Sequence, residues 1–300
     1  MYEPIRYMLG LGGKRMRPVL VLMAGHMFGR KSSELMPAAL AVEVFHNFTL
    51  LHDDIMDKAP LRRGNPTVHE QWSTDIAILS GDAMFVKSVQ LLMTCKGENH
   101  AAAMEVFLQT ALEVCEGQQY DMDFQTEEEV GIDRYLDMIR LKTAVLLGAS
   151  LAIGATLSGA SSDSVKHLYD FGVNLGIAFQ LQDDILDVYA DQAKFGKQAG
   201  GDILANKKTF LLLTALSTAS GPEASSLGHW LNVEEGSYDS LEKVQAVTQL
   251  YNVLGVRELA LTKMDQLYGK ALQDLNAVDL PAEKKIPLRQ LADFLMAREN

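Results

Sequence analysis

Two copies of the pattern Asp-Asp-x-x-Asp, each at the end of a long apolar segment, limit the folds open to this chain. The first copy is HDDIMD at 52–57 and the second is QDDILD at 182–187. The apolar residues before each copy recur with a period near 3.6 residues, which predicts two helices. At that period the first and last aspartates of each copy lie one turn apart on the same face. The fold must therefore bury two apolar helices and still place a pair of carboxylates on one face of each.

The same helical period extends over most of the 300 residues. The predicted helices cover 33–57, 75–95, 100–124, 133–157, 164–188, 209–217, 241–251, 256–275 and 281–298. The sequence has no pair of alternating strands and no Asn-Gly or Asp-Gly hairpin turn. The Ser- and Gly-rich segment 217–237 is predicted to be a surface connection, and no linker divides the chain. We therefore expect an all-α helical bundle that forms a single domain over 1–300.

The composition argues against several kinds of partner. The chain has 27 Lys and Arg against 39 Asp and Glu, a net charge of −12, which disfavours nucleic acid and a polybasic membrane contact. Two cysteines cannot form a disulfide framework, and the first residues lack the apolar core of a signal peptide, so a cytoplasmic location is predicted. The uncharged stretch 143–162 is long enough to span a bilayer. Its many small residues favour a buried core helix instead, and no transmembrane segment is predicted.

A divalent cation would stabilise each aspartate cluster. Like charges one turn apart repel each other, and carboxylates near the C-terminal end of a helix oppose its dipole. Neither cluster contains a Lys or Arg that would neutralise it. Mg²⁺ prefers oxygen ligands and binds one or two carboxylates together with substrate phosphates. The alternative is a solvated acidic helix end, which explains one copy better than it explains two copies in aliphatic helices.

Two compact basic motifs occur in this otherwise acidic chain. GGKRMRP at 12–18 carries three cations from a glycine turn into a predicted helix, and LRRG at 61–64 directly follows the first aspartate cluster. Backbone N–H groups at a helix start attract anions, and Arg is suited to bidentate contacts with phosphate. The alternative is that these are ordinary solvated loop charges. Together the motifs favour a site for two polyanions, one held through Mg²⁺ and one held by cations alone.

In this order, the motifs resemble those of the trans-isoprenyl diphosphate synthases, the farnesyl and geranylgeranyl diphosphate synthase family. The resemblance rests on GGKRMRP at 12–18, HDDIMD at 52–57, LRRGNPT at 61–67, GD at 81–82, GQQYD at 117–121, LKT at 141–143, FQLQDDILD at 179–187 and GKQAGGDILANKKT at 196–209. It implies a homodimer of isoprenoid-synthase helical bundles, each with its two aspartate motifs facing across a deep central cavity. It also implies a short-chain prenyl transfer, in which an allylic diphosphate (dimethylallyl, geranyl or farnesyl) condenses head-to-tail with isopentenyl diphosphate.

The resemblance assigns roles to individual residues. The Mg²⁺ ligands would be Asp53, Asp57 and Asp183, with Asp54, Asp184 and Asp187 as supporting carboxylates. The allylic diphosphate would be held by Arg62, Lys142, Thr143, Gln180, Lys197 and Lys207. Three of these, Lys142, Thr143 and Gln180, would also be catalytic because the allylic cation forms beside them. The isopentenyl diphosphate pocket would be formed by Lys14, Arg17, His46 and Arg63.

Product length in this family depends on side-chain bulk below the first aspartate motif. Here Phe48 is the fifth residue before Asp53 and Phe45 is the eighth. With a rise of 1.5 Å per residue, Phe48 lies roughly 7–8 Å below that aspartate along the helix. Two rings there would close the floor of the cavity, which favours farnesyl diphosphate slightly and leaves geranylgeranyl diphosphate open. The alternative is that both rings belong to ordinary core packing.

Other functions remain as alternatives at this point. A class-one terpene cyclase shares the fold, but it normally has an Asn/Ser/Glu-type second metal motif, whereas this chain has DDILD at 183–187. A non-catalytic regulatory subunit of a heteromeric prenyl synthase would tend to lose carboxylates from one motif, and both motifs are intact here. An unrelated helical scaffold would require the whole motif series to be coincidence. The favoured prediction is a Mg²⁺-dependent prenyltransferase.

Overall fold

The computed structural model describes residues 1–190, 200–234 and 236–297. Within these ranges the regular structure is helical apart from two very short strands. The helices are α1 (Tyr2–Gly10), α2 (Met16–Met27), α3 (Ser32–Met56), α4 (Val68–Gln71), α5 (Thr74–Met93), α6 (His100–Thr126), α7 (Ile132–Ile139), α8 (Val145–Leu157), α9 (Ser162–Tyr189), α10 (Gly201–Leu204), α11 (Phe210–Thr218), α12 (Gly221–Asn232), α13 (Ser240–Val253), α14 (Val256–Ala277) and α15 (Ala282–Met296). A π-helix, Arg140–Ala144, lies between α7 and α8. The prediction of an all-α fold is confirmed.

The chain divides into two compact units. The first consists of Met1–Leu112, Leu146–Gly172 and Leu275–Pro287, and the second of Glu113–Val145, Val173–Asp274 and Leu288–Asn300. Helices α6, α8, α9, α14 and α15 contribute residues to both units. The single domain over 1–300 and the deep central cavity stay predictions.

In the first unit, α3 packs against α2 and α5. Its buried face carries Leu35, Val42 and Phe45, each no more than 1% exposed, at the spacing of a helix that buries one face. The same unit contains nearly all of α8, which consists mainly of aliphatic, alanine and glycine residues, almost all of them buried. The core of this unit therefore supports the C-terminal end of α3, where the first aspartate motif lies.

Two helices pass a test of length and apolarity for membrane spans, Thr74–Met93 and Ile132–Leu157. The second contains most of the uncharged stretch predicted to be a core helix, and 78% of its apolar window is buried. That burial agrees with the prediction. In the helix Thr74–Met93, only 33% of the apolar window is buried, which leaves an apolar face of α5 exposed.

In the second unit, the first six residues of α11, Phe210–Ala215, are all buried, whereas its last three residues are exposed. Thr209 caps its start, because the Thr209 hydroxyl oxygen accepts a hydrogen bond from the N–H of Leu212 at 3.4 Å. Around it pack Leu181 and Ile185 of α9. Leu181 comes just before the second aspartate motif and Ile185 lies within it, so the core of this unit fixes that motif in turn.

The sequence analysis was wrong at two places. Leu61–Arg62 and Asn65–Pro66 form an antiparallel pair, β1 and β2, although no hairpin was expected. Strands of two residues show no alternation, and the turn has Arg63 rather than Asn or Asp before Gly64, with φ of 54° and 76°.

The segment 217–237 is not simply a connection, because it contains α12. There Pro222 occupies the first turn, which is a helix-start signal rather than a loop signal.

Candidate active site

The first aspartate motif lies at the end of α3, in the first unit. Asp53 is partly exposed and Asp57 is exposed, whereas Asp54 is buried. The Nε and Nη2 atoms of Arg62 donate to Oδ1 of Asp54 at 2.9 and 2.5 Å. Burial raises the pKa of Asp54, and the hydrogen bonds from Arg62 oppose that rise. Arg62 Nη2 also lies 3.8 Å from Oδ2 of Asp53, so a cation from outside the motif partly neutralises it.

The second aspartate motif lies on α9, in the second unit. Asp183 and Asp187 are partly exposed, one turn apart on one face, whereas Asp184 is buried. The Tyr135 hydroxyl donates to Oδ2 of Asp184 at 2.6 Å, and the N–H of Phe210 donates to the same oxygen at 3.4 Å. Burial raises the pKa of Asp184 to about 7, against the effect of the hydrogen bond from Tyr135.

Both motifs therefore have the same internal arrangement. The middle aspartate is buried and bonded to another element of the same unit, whereas the outer two lie at the surface of the helix. In the second motif Asp187 also supports the backbone, because its Oδ2 accepts the N–H of Asp202 at 2.9 Å. The supporting roles of Asp54, Asp184 and Asp187 stay predictions.

The available donor set fits Mg²⁺ rather than a softer metal. The accessible ligands are carboxylate oxygens, which suit a hard cation. In residues 1–190, 200–234 and 236–297 no three His, Cys, Asp or Glu side chains come together as a metal-binding group. Mg²⁺ commonly uses one or two carboxylates and takes its remaining ligands from water and substrate phosphates. The geometry therefore fits a cation that binds together with a diphosphate.

A cluster of positive charge surrounds His46 in the first unit. The arginines that act on it are Arg17, Arg63, Arg62 and Arg15. Together with burial, which is the larger effect, their charges hold the pKa of His46 well below its ordinary value. The imidazole is therefore neutral, and its Nε2 accepts from Nη1 of Arg17 at 3.1 Å. A buried carboxylate, Glu43, pairs with Arg15. The cluster keeps a net positive charge, which suits an anion.

Gly13 brings the two basic motifs together. A Cβ atom at Gly13 would lie 2.7 Å from Nη2 of Arg63, so a larger residue would displace that guanidinium. Arg63 also donates to the carbonyl oxygen of Gly12. Burial lowers the pKa of Arg63, and the like charges of Arg15 and Arg62 lower it further. The predicted pocket residues Arg17, His46 and Arg63 thus belong to one cluster, beside an exposed Lys14 on the same turn.

In the second unit, Lys142 and Thr143 lie within the π-helix, and both are partly exposed. The Lys142 ammonium donates to Oδ2 of Asp121 at 2.6 Å. One turn before that aspartate on α6, a Cβ atom at Gly117 would lie 2.2 Å from the backbone N of Lys142. The absence of a side chain at Gly117 therefore lets α6 reach the backbone at Lys142. Single π-helical turns within helices occur frequently at functional sites.

Two further predicted residues, Gln180 and Lys207, belong to the second unit. Gln180 is partly exposed and lies three residues before Asp183, on the same face of α9. Lys207 follows α10, with its Nζ 3.7 Å from Oδ1 of Asp202. Against the effect of burial, the charges of Asp202, Asp184 and Asp121 raise the pKa of Lys207. Lys197 lies outside the described residues.

The two predicted product-length residues belong to an aromatic cluster in the first unit. Phe45 is 1% exposed, and its ring centroid lies 5.6 Å from that of Phe48, 6.0 Å from Phe85 and 5.3 Å from Phe107. Phe48 is partly exposed and also contacts Phe85, at 5.5 Å. Phe85 and Phe107 were not predicted, because a single aromatic residue in an apolar helix carries no signal of its own.

Most predicted site residues thus collect into two groups, one in each unit. Around Asp54 and His46 the first unit gathers both basic motifs. Around Lys207 the second unit gathers Asp184, Asp202 and Lys142. Sequence reasoning did not single out Tyr135, Asp121 or Asp202, although Asp121 and Asp202 lie in motifs that it quoted.

The chain resembles known proteins over its whole length. Residues 1–251 match the model of the polyprenyl synthetase family. A geranylgeranyl diphosphate synthase of Methanosarcina mazei is 36% identical over 305 residues, which cover 100% of this chain and 90% of that protein. A solved geranylgeranyl pyrophosphate synthase is 42% identical, with a TM-score of 0.94, over 100% of this chain and 92% of the other. The Corynebacterium glutamicum geranylgeranyl pyrophosphate synthase, solved with isoprenyl diphosphate and magnesium, is 29% identical, with a TM-score of 0.86, over 99% and 90%.

Fold and site together define an all-helical isoprenoid synthase, an enzyme of the prenyltransferase class. Within that class, the chain belongs to the polyprenyl synthetase family. The resemblance in the motif series is thereby confirmed, as is the prediction of a short-chain isoprenyl diphosphate synthase. The terpene cyclase and regulatory-subunit alternatives are not favoured.

Proposed function

We propose that this prenyltransferase makes geranylgeranyl diphosphate by condensing an allylic diphosphate with isopentenyl diphosphate. The observation that carries the proposal is the division of charge within the site. Outer carboxylates are available at the surfaces of α3 and α9, and the charges of four arginines act on a buried, neutral histidine. Such a site suits one diphosphate bound through Mg²⁺ and another bound by guanidinium groups directly.

The residues of the second unit, with Arg62, would hold the allylic diphosphate. When bound through Asp53, Asp57 and Asp183, Mg²⁺ would supply positive charge that stabilises the departing pyrophosphate. The cationic and polar grips on that diphosphate are Arg62, Lys142, Gln180, Lys197 and Lys207. The Lys142 and Thr143 segment would flank the carbon from which the diphosphate departs. Stabilising charge where it develops is the largest contribution that a fixed site makes to such a step.

The arginine cluster would hold isopentenyl diphosphate, through Lys14, Arg17, His46 and Arg63. The double bond of isopentenyl diphosphate attacks the allylic cation, so a carbon–carbon bond forms at the carbon whose bond to oxygen has broken. A proton must then leave the new product. The low pKa of His46 makes it a poor proton acceptor, which supports transfer of the proton to the departed pyrophosphate. The chain must also exclude water, which would quench the cation.

For product length, the similarity to known synthases is stronger evidence than the two phenylalanine rings. The aromatic pair alone slightly favoured farnesyl diphosphate, but the similar proteins from Methanosarcina mazei and Sulfolobus acidocaldarius are geranylgeranyl diphosphate synthases. We propose that Phe48 limits the chain, because it is the more exposed of the two predicted rings. Phe45 is fully enclosed by the cluster and would support Phe48 from below.

Replacing Phe48 by Ala is expected to lengthen the product by at least one isoprene unit, because the ring that stops the growing chain is removed. Chromatography of the dephosphorylated prenyl alcohols measures this. The matched control is Phe294→Ala, at a ring that is 72% exposed on α15 and outside the cluster. An unchanged product distribution in Phe48→Ala would show that another group forms the floor.

We also propose a homodimer that forms through the apolar faces of α5 and α6. Leu79, Val86 and Met93 repeat every seven residues along α5 and are 55%, 54% and 63% exposed. On α6, Leu108 and Leu112 are 45% and 56% exposed. Exposed apolar faces of this kind are typical of interfaces between subunits. Sedimentation velocity tests the proposal, which predicts a species of twice the chain mass. A cytoplasmic location stays a prediction.

The reaction is tested by incubating the protein with labelled isopentenyl diphosphate and each allylic starter in turn, with Mg²⁺ or with EDTA. We expect a prenyl diphosphate with Mg²⁺ and none with EDTA, and a product of geranylgeranyl length. A folded protein that makes no product with any starter would contradict the proposed function. A product of another length would contradict only the assignment of chain length.

A further inference from the structure

Lys243 is a buried cation that the proposed mechanism does not use. It lies on α13 in the second unit and is 1% exposed. Its ammonium donates to Oδ1 of Asn206 at 2.7 Å and lies 3.5 Å from the Tyr238 hydroxyl. It also lies 5.0 Å from the centre of the Tyr238 ring. An ammonium withdrawn from water is costly unless its hydrogen bonds are well made, so the bond to Asn206 is a strong local constraint.

Asn206 joins three elements of the second unit. Its φ of 50° is left-handed, a conformation that Asn tolerates better than most residues, and it ends the turn after α10. Its Nδ2 donates to the carbonyl oxygen of Leu231 on α12 at 3.1 Å, while its Oδ1 accepts from Lys243. The side chain is therefore held from both sides, and the backbone next to Lys207 is fixed.

The start of the same segment is held by the second aspartate motif. The N–H of Gly200 donates to the carbonyl oxygen of Asp187 at 2.7 Å, and the N–H of Asp202 donates to Oδ2 of Asp187 at 2.9 Å. The segment 200–206 is thus anchored by Asp187 at one end and by Lys243 at the other. Lys207 comes directly after the second anchor.

We propose that Lys243 is a positioning residue for the allylic diphosphate site. Through Asn206 it fixes the backbone that presents Lys207, at a defined distance from the second aspartate motif. The inference rests on the proposed function, because it takes Lys207 to contact that diphosphate. Lys243 would thus act on the substrate only through Asn206 and Lys207.

The test replaces Lys243 by Met, which keeps the length of the side chain and removes the ammonium. We expect the KM for the allylic diphosphate to rise about tenfold, the effect of losing one buried hydrogen bond to a charged group. The KM for isopentenyl diphosphate should not change, because that pocket belongs to the other unit. Lys270→Met, at an exposed lysine on α14, is the matched control and should leave both constants unchanged.

Variants of Asn206 separate positioning from general stability. Asn206→Asp keeps an acceptor for Lys243 and tolerates the left-handed backbone, but it loses the donor to the carbonyl oxygen of Leu231. Its allylic KM should therefore rise less than that of Asn206→Gly. Asn206→Gly leaves the ammonium without that acceptor and should raise the allylic KM. Adding Lys243→Met to Asn206→Gly should then cost much less than in the parent, because the two residues act as one unit. Fully additive effects, or a lower melting temperature with unchanged KM values, would overturn the inference.

Lys207→Met distinguishes this inference from the proposed function. If it raises the allylic KM while Lys243→Met does not, the function stands and the positioning role is wrong. If Lys207→Met leaves the allylic KM unchanged in an active enzyme, the role of Lys207 is wrong, and with it the basis of the inference.

Discussion

Replacing Asp53 by Asn, or separately Asp183 by Asn, should lower kcat by roughly a thousandfold while the protein stays folded. Both residues are proposed metal ligands, and both are partly exposed on the outer face of their helices, so an amide of the same shape can be accommodated. The loss falls on the reaction because an amide oxygen carries no charge to hold the cation that stabilises the departing diphosphate. Steady-state rates at saturating Mg²⁺ and substrate measure the effect.

Two comparisons make this prediction specific. Asp265→Asn, at an exposed carboxylate on α14 outside all of the motifs, should retain parental activity. Asp54→Asn should instead lower the melting temperature, because the buried Asp54 is the hydrogen-bond partner of Arg62. Retention of activity by either Asp53→Asn or Asp183→Asn would contradict the metal-ligand roles of these carboxylates.

Gly117→Ala should lower kcat about a hundredfold, the effect of moving a reacting group by an ångström. The new methyl group would lie 2.2 Å from the backbone N of Lys142 and 2.6 Å from its Cα. Since these are backbone atoms, the strain cannot be relieved by turning a side chain. The π-helix must shift, and Lys142 and Thr143 shift with it. The melting temperature should fall as well, because overpacking of this kind costs about 1–3 kcal/mol or more.

Gly269→Ala is the matched control for this prediction. Gly269 lies within α14, and a Cβ atom there would meet nothing within 4 Å. Alanine favours a helix over glycine by about 1 kcal/mol, so this variant should be as stable as the parent or slightly more stable. Rates are compared well below both melting temperatures and per mole of folded protein. Parental kcat in Gly117→Ala would show that the close approach of α6 does not position Lys142.

Much of the fold could be predicted because its helices carry strong periodic patterns. The long helices α3, α5, α6 and α9 were predicted close to their observed ends, and the spacing within each aspartate motif placed its outer carboxylates on one face. Helix starts that depend on capping were harder to recognise. The Ser-Gly-Pro run at the start of α12 was predicted to be a loop, because Ser, Gly and Pro occur both in loops and at helix starts.

The arrangement within the site could not be predicted, because it depends on contacts between distant residues. The sequence of the motif does not distinguish Asp54 from Asp53, yet of these two only Asp54 is buried and accepts hydrogen bonds from Arg62. The partner of Asp184 is Tyr135, which lies 49 residues earlier in the chain. Similarly, the neutral state of His46 follows from its burial and from the charges of arginines in two separate motifs.

The burial of the middle aspartates has a consequence for the divergence of duplicated genes. In a copy released from selection for catalysis but still required to fold, Asp53, Asp57 and Asp183 would be free to drift. The pairs that join Asp54 to Arg62 and Asp184 to Tyr135 would still be conserved by selection for stability. A sequence of this fold that keeps the middle aspartates and has lost the outer ones would therefore indicate a protein that still folds but no longer catalyses the reaction.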